Sequence, residues 1–185
     1  MRRSSMPEGT RATNPARWIG ANRPILIFLL SFGLWIGLFS VLFQSRWIDE
    51  HGVVPMTEAT AEVSNILVRA LGFDTHVSGT VIAGSNGFAV NILKGCNGAY
   101  VMAIYLSAVF AFPSSLREKA IGAGIGIPVV QIINIGRIVS LYYIGVEHPA
   151  LFESFHYHVW QTIVIILAMA VWIAWAEVVV KVPGR

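Results

Sequence analysis

The sequence predicts an all-α membrane protein: about four transmembrane helices, an amphipathic helix and a small extracytoplasmic β-hairpin. Composition is the first observation behind this reading. Of 185 residues, 55% are hydrophobic and only 12% charged, with a mean hydropathy of +0.65. Soluble domains carry about twice that charged fraction. The second is that the charges collect between long apolar runs, and the third is that Lys and Arg favour one side of those runs.

Residues 1–23 are polar and basic, with Arg2, Arg3, Arg11, Arg17 and Arg23 against Glu8, and read as a disordered cytoplasmic tail. Residues 24–185 read as one membrane-embedded domain with spans at about 24–43, 96–112, 120–144 and 158–180. The first run is too long for a signal-peptide core, and Phe43-Gln44-Ser45 offers no small-x-small cleavage site. Between spans one and two, Ala59, Val63, Ile66, Leu67 and Ala70 recur at helical spacing, predicting an amphipathic surface helix over 56–71. The period then falls to two (Val77, Val81, then Phe88, Val90, Ile92) around the turn-forming Gly84-Ser85-Asn86-Gly87, which predicts a hairpin. Pro113 to Lys119 separates spans two and three, and residues 145–155, with Pro149, separate three and four. Gly33-x-x-x-Gly37 and Gly122-x-x-x-Gly126 fit close helix packing in lipid. The six Trp residues mostly fall near predicted interfaces.

Orientation follows from the basic residues. With the N-terminus inside, the cytoplasmic segments hold nine Lys and Arg, and the outer segments hold three, Arg46, Arg69 and Lys94. Both termini are then cytoplasmic. The sequence pI of about 9.3 reflects this bias; no basic stripe alternates with aromatics, so nucleic acid is not an expected partner.

Three reactive side chains fall at the outer ends of separate spans on this topology. Cys96, the single cysteine, begins span two; Arg137 lies in the outer third of span three; His156 opens span four. A buried cysteine usually only packs. Cys96, however, sits in Lys94-Gly95-Cys96-Asn97-Gly98, where two glycines let a substrate backbone approach and a helix N-terminus favours thiolate. An arginine within a span costs about 2.5–3.5 kcal/mol on insertion scales, and such residues mark function by default. Snorkelling would explain Arg137 alone. It does not explain Gln131, Asn134, Arg137 and Ser140, which recur every third residue as a polar stripe facing the bundle interior or a wet cavity. His156 and His158, two apart, point in different directions on a helix, so at most one faces Cys96 and Arg137. His51, His76 and His148 fall in loops. One cysteine excludes an internal disulfide and a multi-cysteine metal cage, and no carboxylate cluster completes a metal site. Neither a metal nor any other cofactor is expected.

Gly-Cys-Asn-Gly at 95–98, Asn-Ile-Gly-Arg at 134–137 and Phe-Glu-Ser-Phe-His-Tyr-His-Val-Trp-Gln at 152–161 resemble the exosortase/archaeosortase family of prokaryotic membrane sorting enzymes. The resemblance covers roughly residues 24–180, in the family's order of Cys, Arg, His, and the short length with Val-Trp-Gln after the histidine is most similar to the exosortase H branch. The resemblance implies a bacterial inner-membrane cysteine transpeptidase or protease. Its partners would be exported proteins that end in a short motif, an apolar helix and a basic tail. By the same resemblance Cys96 is the nucleophile, Arg137 the essential cation and His156 the acid/base, with Asn97, Asn134 and His158 as accessory candidates. His158 stands where relatives often have an aromatic, which leaves His156 and His158 in competition.

The chemistry is consistent with those roles. A thiol of ordinary pKa, about 8.5, is mostly protonated at neutral pH and needs activation, and burial at a membrane face makes a neighbouring cation necessary. The competing readings are a non-enzymatic scaffold or small transporter subunit, with Arg137 as an ion-pathway or packing residue, and a metal-dependent membrane hydrolase.

Overall fold

The computed structural model describes residue 20 and residues 22–181; the tail read over 1–23 lies almost wholly outside the described residues. Helix α1, Arg23–Leu42, starts on Pro24 in its first turn and coincides with the first predicted span. A short turn, Arg46–Ile48, and a π-helical turn, Asp49–Val53, lead into α2, Val54–Ala70. Strands β1 (Thr75–Ser78), β2 (Val81–Gly84) and β3 (Ala89–Asn91) form an antiparallel sheet in the order β1-β2-β3. Then come α3 (Ala99–Ala111), α4 (Leu116–Glu147), α5 (Pro149–Ser154), a π-helical turn (Phe155–Val159) and α6 (Trp160–Lys181).

Three stretches among the described residues are long and apolar enough to cross a membrane: Arg23–Leu42, Leu116–Glu147 and Pro149–Val179. The predicted second span, about 96–112, is only the 13-residue α3. At about 1.5 Å per residue it covers about 20 Å, short of a hydrocarbon core of about 30 Å. Both ends are cut by local chemistry. The Cys96 amide donates to Leu93 O at 2.8 Å, closing a turn, and Gly98 caps α3 at φ 82, a left-handed conformation open to glycine. Pro113 follows at the other end.

The predicted hairpin is β2–β3, turning through Gly84–Gly87. Its first arm is split by a further turn at Gly79-Thr80, because Gly79 takes φ 59 and lets Ser78 pair with Val81. The predicted break at 145–155 is mostly helical, the chain departing from helix at His148 (φ −138, ψ 63) and resuming on Pro149.

Helix α2 lies within two residues of the predicted 56–71 at each end, and the face it turns inward is not its apolar stripe. Thr57, Thr60, Ala61, Ser64 and Val68 are buried, whereas Ala59, Val63, Ile66, Leu67 and Ala70 are exposed. Glu58, Glu62 and Arg69 occupy the remaining side. Inward small and polar, flanked by one apolar and one charged face, is the pattern of a helix lying in a membrane–water boundary.

Two cores organise the rest. One joins α2 and the sheet to the C-terminal part of α4, with Ala61, Val68, Ile82, Ile92, Ile138 and Tyr142 buried together. The other joins α3, α4 and α6 through Tyr105, Val109, Val130, Ala168, Trp175 and Ala176. Gly122 and Gly126 make the second core tight. A Cβ on Gly122 would lie 2.7 Å from the Trp175 indole, and one on Gly126 would strike the Tyr105 ring. Trp175 is therefore a core residue, not part of an aromatic belt, and donates through Nε1 to Glu118 O at 3.2 Å. Gly33 and Gly37 behave otherwise: nothing among the described residues lies within 4 Å of a Cβ at either, so this predicted packing pair faces away from them.

Candidate active site

Helix α4 sets the register for both of its neighbours. α3 runs antiparallel to it, with Gly98 against Asn134, Tyr105 against Gly126, and Phe110 O accepting from Lys119 Nζ at 2.6 Å. α6 is antiparallel as well, with Trp175 at the level of Gly122. Cys96, just ahead of α3, and His156, just ahead of α6, are therefore both delivered to the level of Arg137. Close approach at the glycines fixes that level.

Cys96 Sγ lies 3.0 Å from His156 Nε2. Arg137 Nη2 lies 3.8 Å from the same sulfur and donates to His156 O at 3.4 Å. Arg137 is 3% exposed and its Nε has no partner among the described residues, so a desolvated cation keeps an unused donor. His156 is held within a π-helical turn, a geometry that recurs at functional sites. The two histidines separate as their spacing requires: His156 is half-buried against Cys96, and His158 is exposed.

A polar layer backs the cysteine loop. Asn97, fully buried, donates through Nδ2 to Thr57 Oγ1 at 2.8 Å and accepts from Ala99 N through Oδ1 at 3.0 Å. Gln131 Nε2 reaches Thr60 Oγ1 and Asn97 O. Asn134 is fully buried with neither amide atom partnered among the described residues. At the loop's exposed side, Lys94 Nζ pairs with Asp49 Oδ1 at 2.8 Å. Thr57, Thr60 and Asp49 carry no signal as isolated residues of the sequence; the threonines find their place only when α2 turns its polar face inward, and Asp49 finds its place in the turn ahead of it.

Cys96, Arg137 and His156 line one cavity of about 240 Å³. Ala89, Val90, Asn91 and Ile92 form one wall, Phe152, Glu153 and Tyr157 another. The strand wall is not legible from the sequence.

The fold and this site define a multi-pass membrane protein whose lone thiol, an imidazole and a guanidinium share one cavity at the sheet-bearing end of the helices. A family model described as transmembrane exosortase matches residues 24–175, and the chain belongs to that family. No curated protein matches the chain, and no solved structure does.

Proposed function

We propose that this chain is a cysteine transpeptidase or protease that cleaves C-terminal sorting signals of exported proteins at the extracytoplasmic face of a bacterial inner membrane. The observation that carries the reading is the approach of His156 Nε2 and Arg137 Nη2 to one sulfur, at 3.0 and 3.8 Å, within a single cavity. Family membership and the basic-residue bias support substrate class and orientation.

His156 takes the thiol proton, and Arg137 stabilises the resulting thiolate. The sulfur attacks the scissile carbonyl carbon; the oxyanion that forms is held by a guanidinium N–H. As the C–N bond breaks, the imidazolium returns its proton to the leaving amine, and a thioester remains on Cys96. Water or an acceptor amine, deprotonated by His156, then attacks the thioester and releases the thiolate. Asn97 holds the cysteine loop through Thr57 and Ala99, and His158 takes no part.

The test is co-expression with a neighbouring exported protein ending in a motif, an apolar helix and a basic tail, followed by mass measurement of its new C-terminus. A shortened product made by the wild-type chain and absent with Cys96→Ala is expected. Processing that persists in Cys96→Ala, with the protein still inserted in the membrane, would refute the reading. Tolerance of Cys96→Ser as well would favour a scaffold.

A further inference from the structure

The wall beside the sulfur carries main-chain hydrogen-bonding groups without a strand partner among the described residues. β3 is an edge of the sheet. Gly84 N donates to Phe88 O at 2.9 Å, Ile92 N donates to Thr80 O at 3.0 Å, and Ile82 pairs with Val90 between them. Phe88, Val90 and Ile92 are thus the residues whose main-chain groups face β2. Successive strand residues direct these groups to opposite edges, so the N–H and C=O of Ala89 and Asn91 face away from β2. Both residues are exposed, and no further strand pairs with them among the described residues. Ala89, Val90, Asn91 and Ile92 all line the cavity that holds Cys96, Arg137 and His156. Strand faces offer alternate residues to a space; four consecutive ones border it only along an edge.

We propose that this edge is the substrate's main-chain binding site: the extended segment just ahead of the scissile bond adds to β3 as a further strand. The inference rests on the transpeptidase reading and deepens it by naming how the peptide is held. Strand addition takes affinity from main-chain hydrogen bonds and leaves specificity to side-chain pockets. Here those pockets fall to Phe152, Glu153 and Tyr157 on the facing wall.

The direction of the added strand is also determined. β3 runs toward Cys96, and the chain continues into α3, which packs in the apolar core with α4 and α6. A substrate whose own apolar helix follows its scissile bond must pass Cys96 in the same sense, so it pairs parallel to β3. The carbonyls of Ala89 and Asn91 then accept from substrate N–H groups two residues apart.

An N-methyl scan tests this without altering the enzyme. The probe is the C-terminal segment (extracytoplasmic stretch, apolar helix, basic tail) of an exported protein encoded beside this chain, reconstituted in liposomes. One main-chain nitrogen at a time is methylated upstream of the cut. Methylation at alternate positions should lower kcat/KM by about tenfold, and methylation at the intervening positions should leave it near that of the unmodified probe. The same scan is read as binding to the Cys96→Ala chain, which has no nucleophile. Period-two loss of binding without cleavage by the wild type would keep the strand and sink the nucleophile. Cleavage with no alternation would keep the nucleophile and overturn the strand, and an absence of both would overturn both.

Discussion

The Nε2 atom of His156 lies 3.0 Å from the Sγ atom of Cys96, a residue sixty positions earlier in the chain. Neither helix that follows these residues contacts the site along its length; each only begins there. The pair is set by how α3 and α6 register on α4, with Tyr105 over Gly126 and Trp175 over Gly122. Changes to the site and changes to that register should therefore be separable by experiment.

The two histidines give the sharpest comparison. His156→Ala should lower processing by about 10²–10⁴-fold, the usual share of general acid–base catalysis. His158→Ala, removing an exposed ring, should change it by less than about twofold. Product formation in cells, normalised to the amount of membrane-inserted protein, reads both.

Arg137 supplies both charge and a donor at the sulfur. Arg137→Gln should lower processing by about 10²–10³-fold, comparable to losing an oxyanion donor. Arg137→Lys should recover only part of this, because an ammonium on a shorter, differently shaped side chain does not place a donor where Nη2 meets both the sulfur and His156 O. Alkylation of Cys96 by iodoacetamide at fixed pH checks the electrostatic part, with a slower rate expected in Arg137→Gln than in the wild type.

Thr57→Val removes the acceptor of a buried amide and leaves Asn97 Nδ2 unpaired. A loss of about 1–3 kcal/mol in stability is expected. Thermal unfolding in detergent measures it. Thr57→Ser, which restores the hydroxyl, should recover most of the loss.

Glycine substitutions separate packed from open helix faces. Gly122→Ala places a methyl group 2.7 Å from the Trp175 ring and should destabilise by about 1–3 kcal/mol. Gly33→Ala meets nothing within 4 Å among the described residues and should be neutral, or stabilising by up to about 1 kcal/mol through helix propensity. The same unfolding measurement distinguishes them.

Much of this was legible from apolar runs and charge placement: α1 to within a residue at each end, α4 and α6 as long helices, and the β2–β3 turn. The convergence of Cys96, Arg137 and His156 was also legible, because apolar runs that alternate in direction place their ends together even where one is too short to be a span. Three features were not. The second span falls short because the Gly95–Gly98 stretch closes a turn and does not begin a helix. The burial face of α2 does not follow from its apolar stripe, because that stripe has a second apolar phase, lipid, to face. Which of His156 and His158 lies against Cys96 depends on the rotation of a π-helical turn, which spacing does not encode.

The sequence by itself determined that this chain lives in a membrane and that a thiol, a guanidinium and an imidazole lie at the same end of it, since hydrophobic run length and charge bias act residue by residue. Tertiary structure alone decided which nitrogen reaches the sulfur, which threonines hold the loop, and which strand edge borders the cavity. Those depend on helix rotation and register, set by the packing of Tyr105 onto Gly126 and Trp175 onto Gly122, and by the core that seats α2 and the sheet on α4.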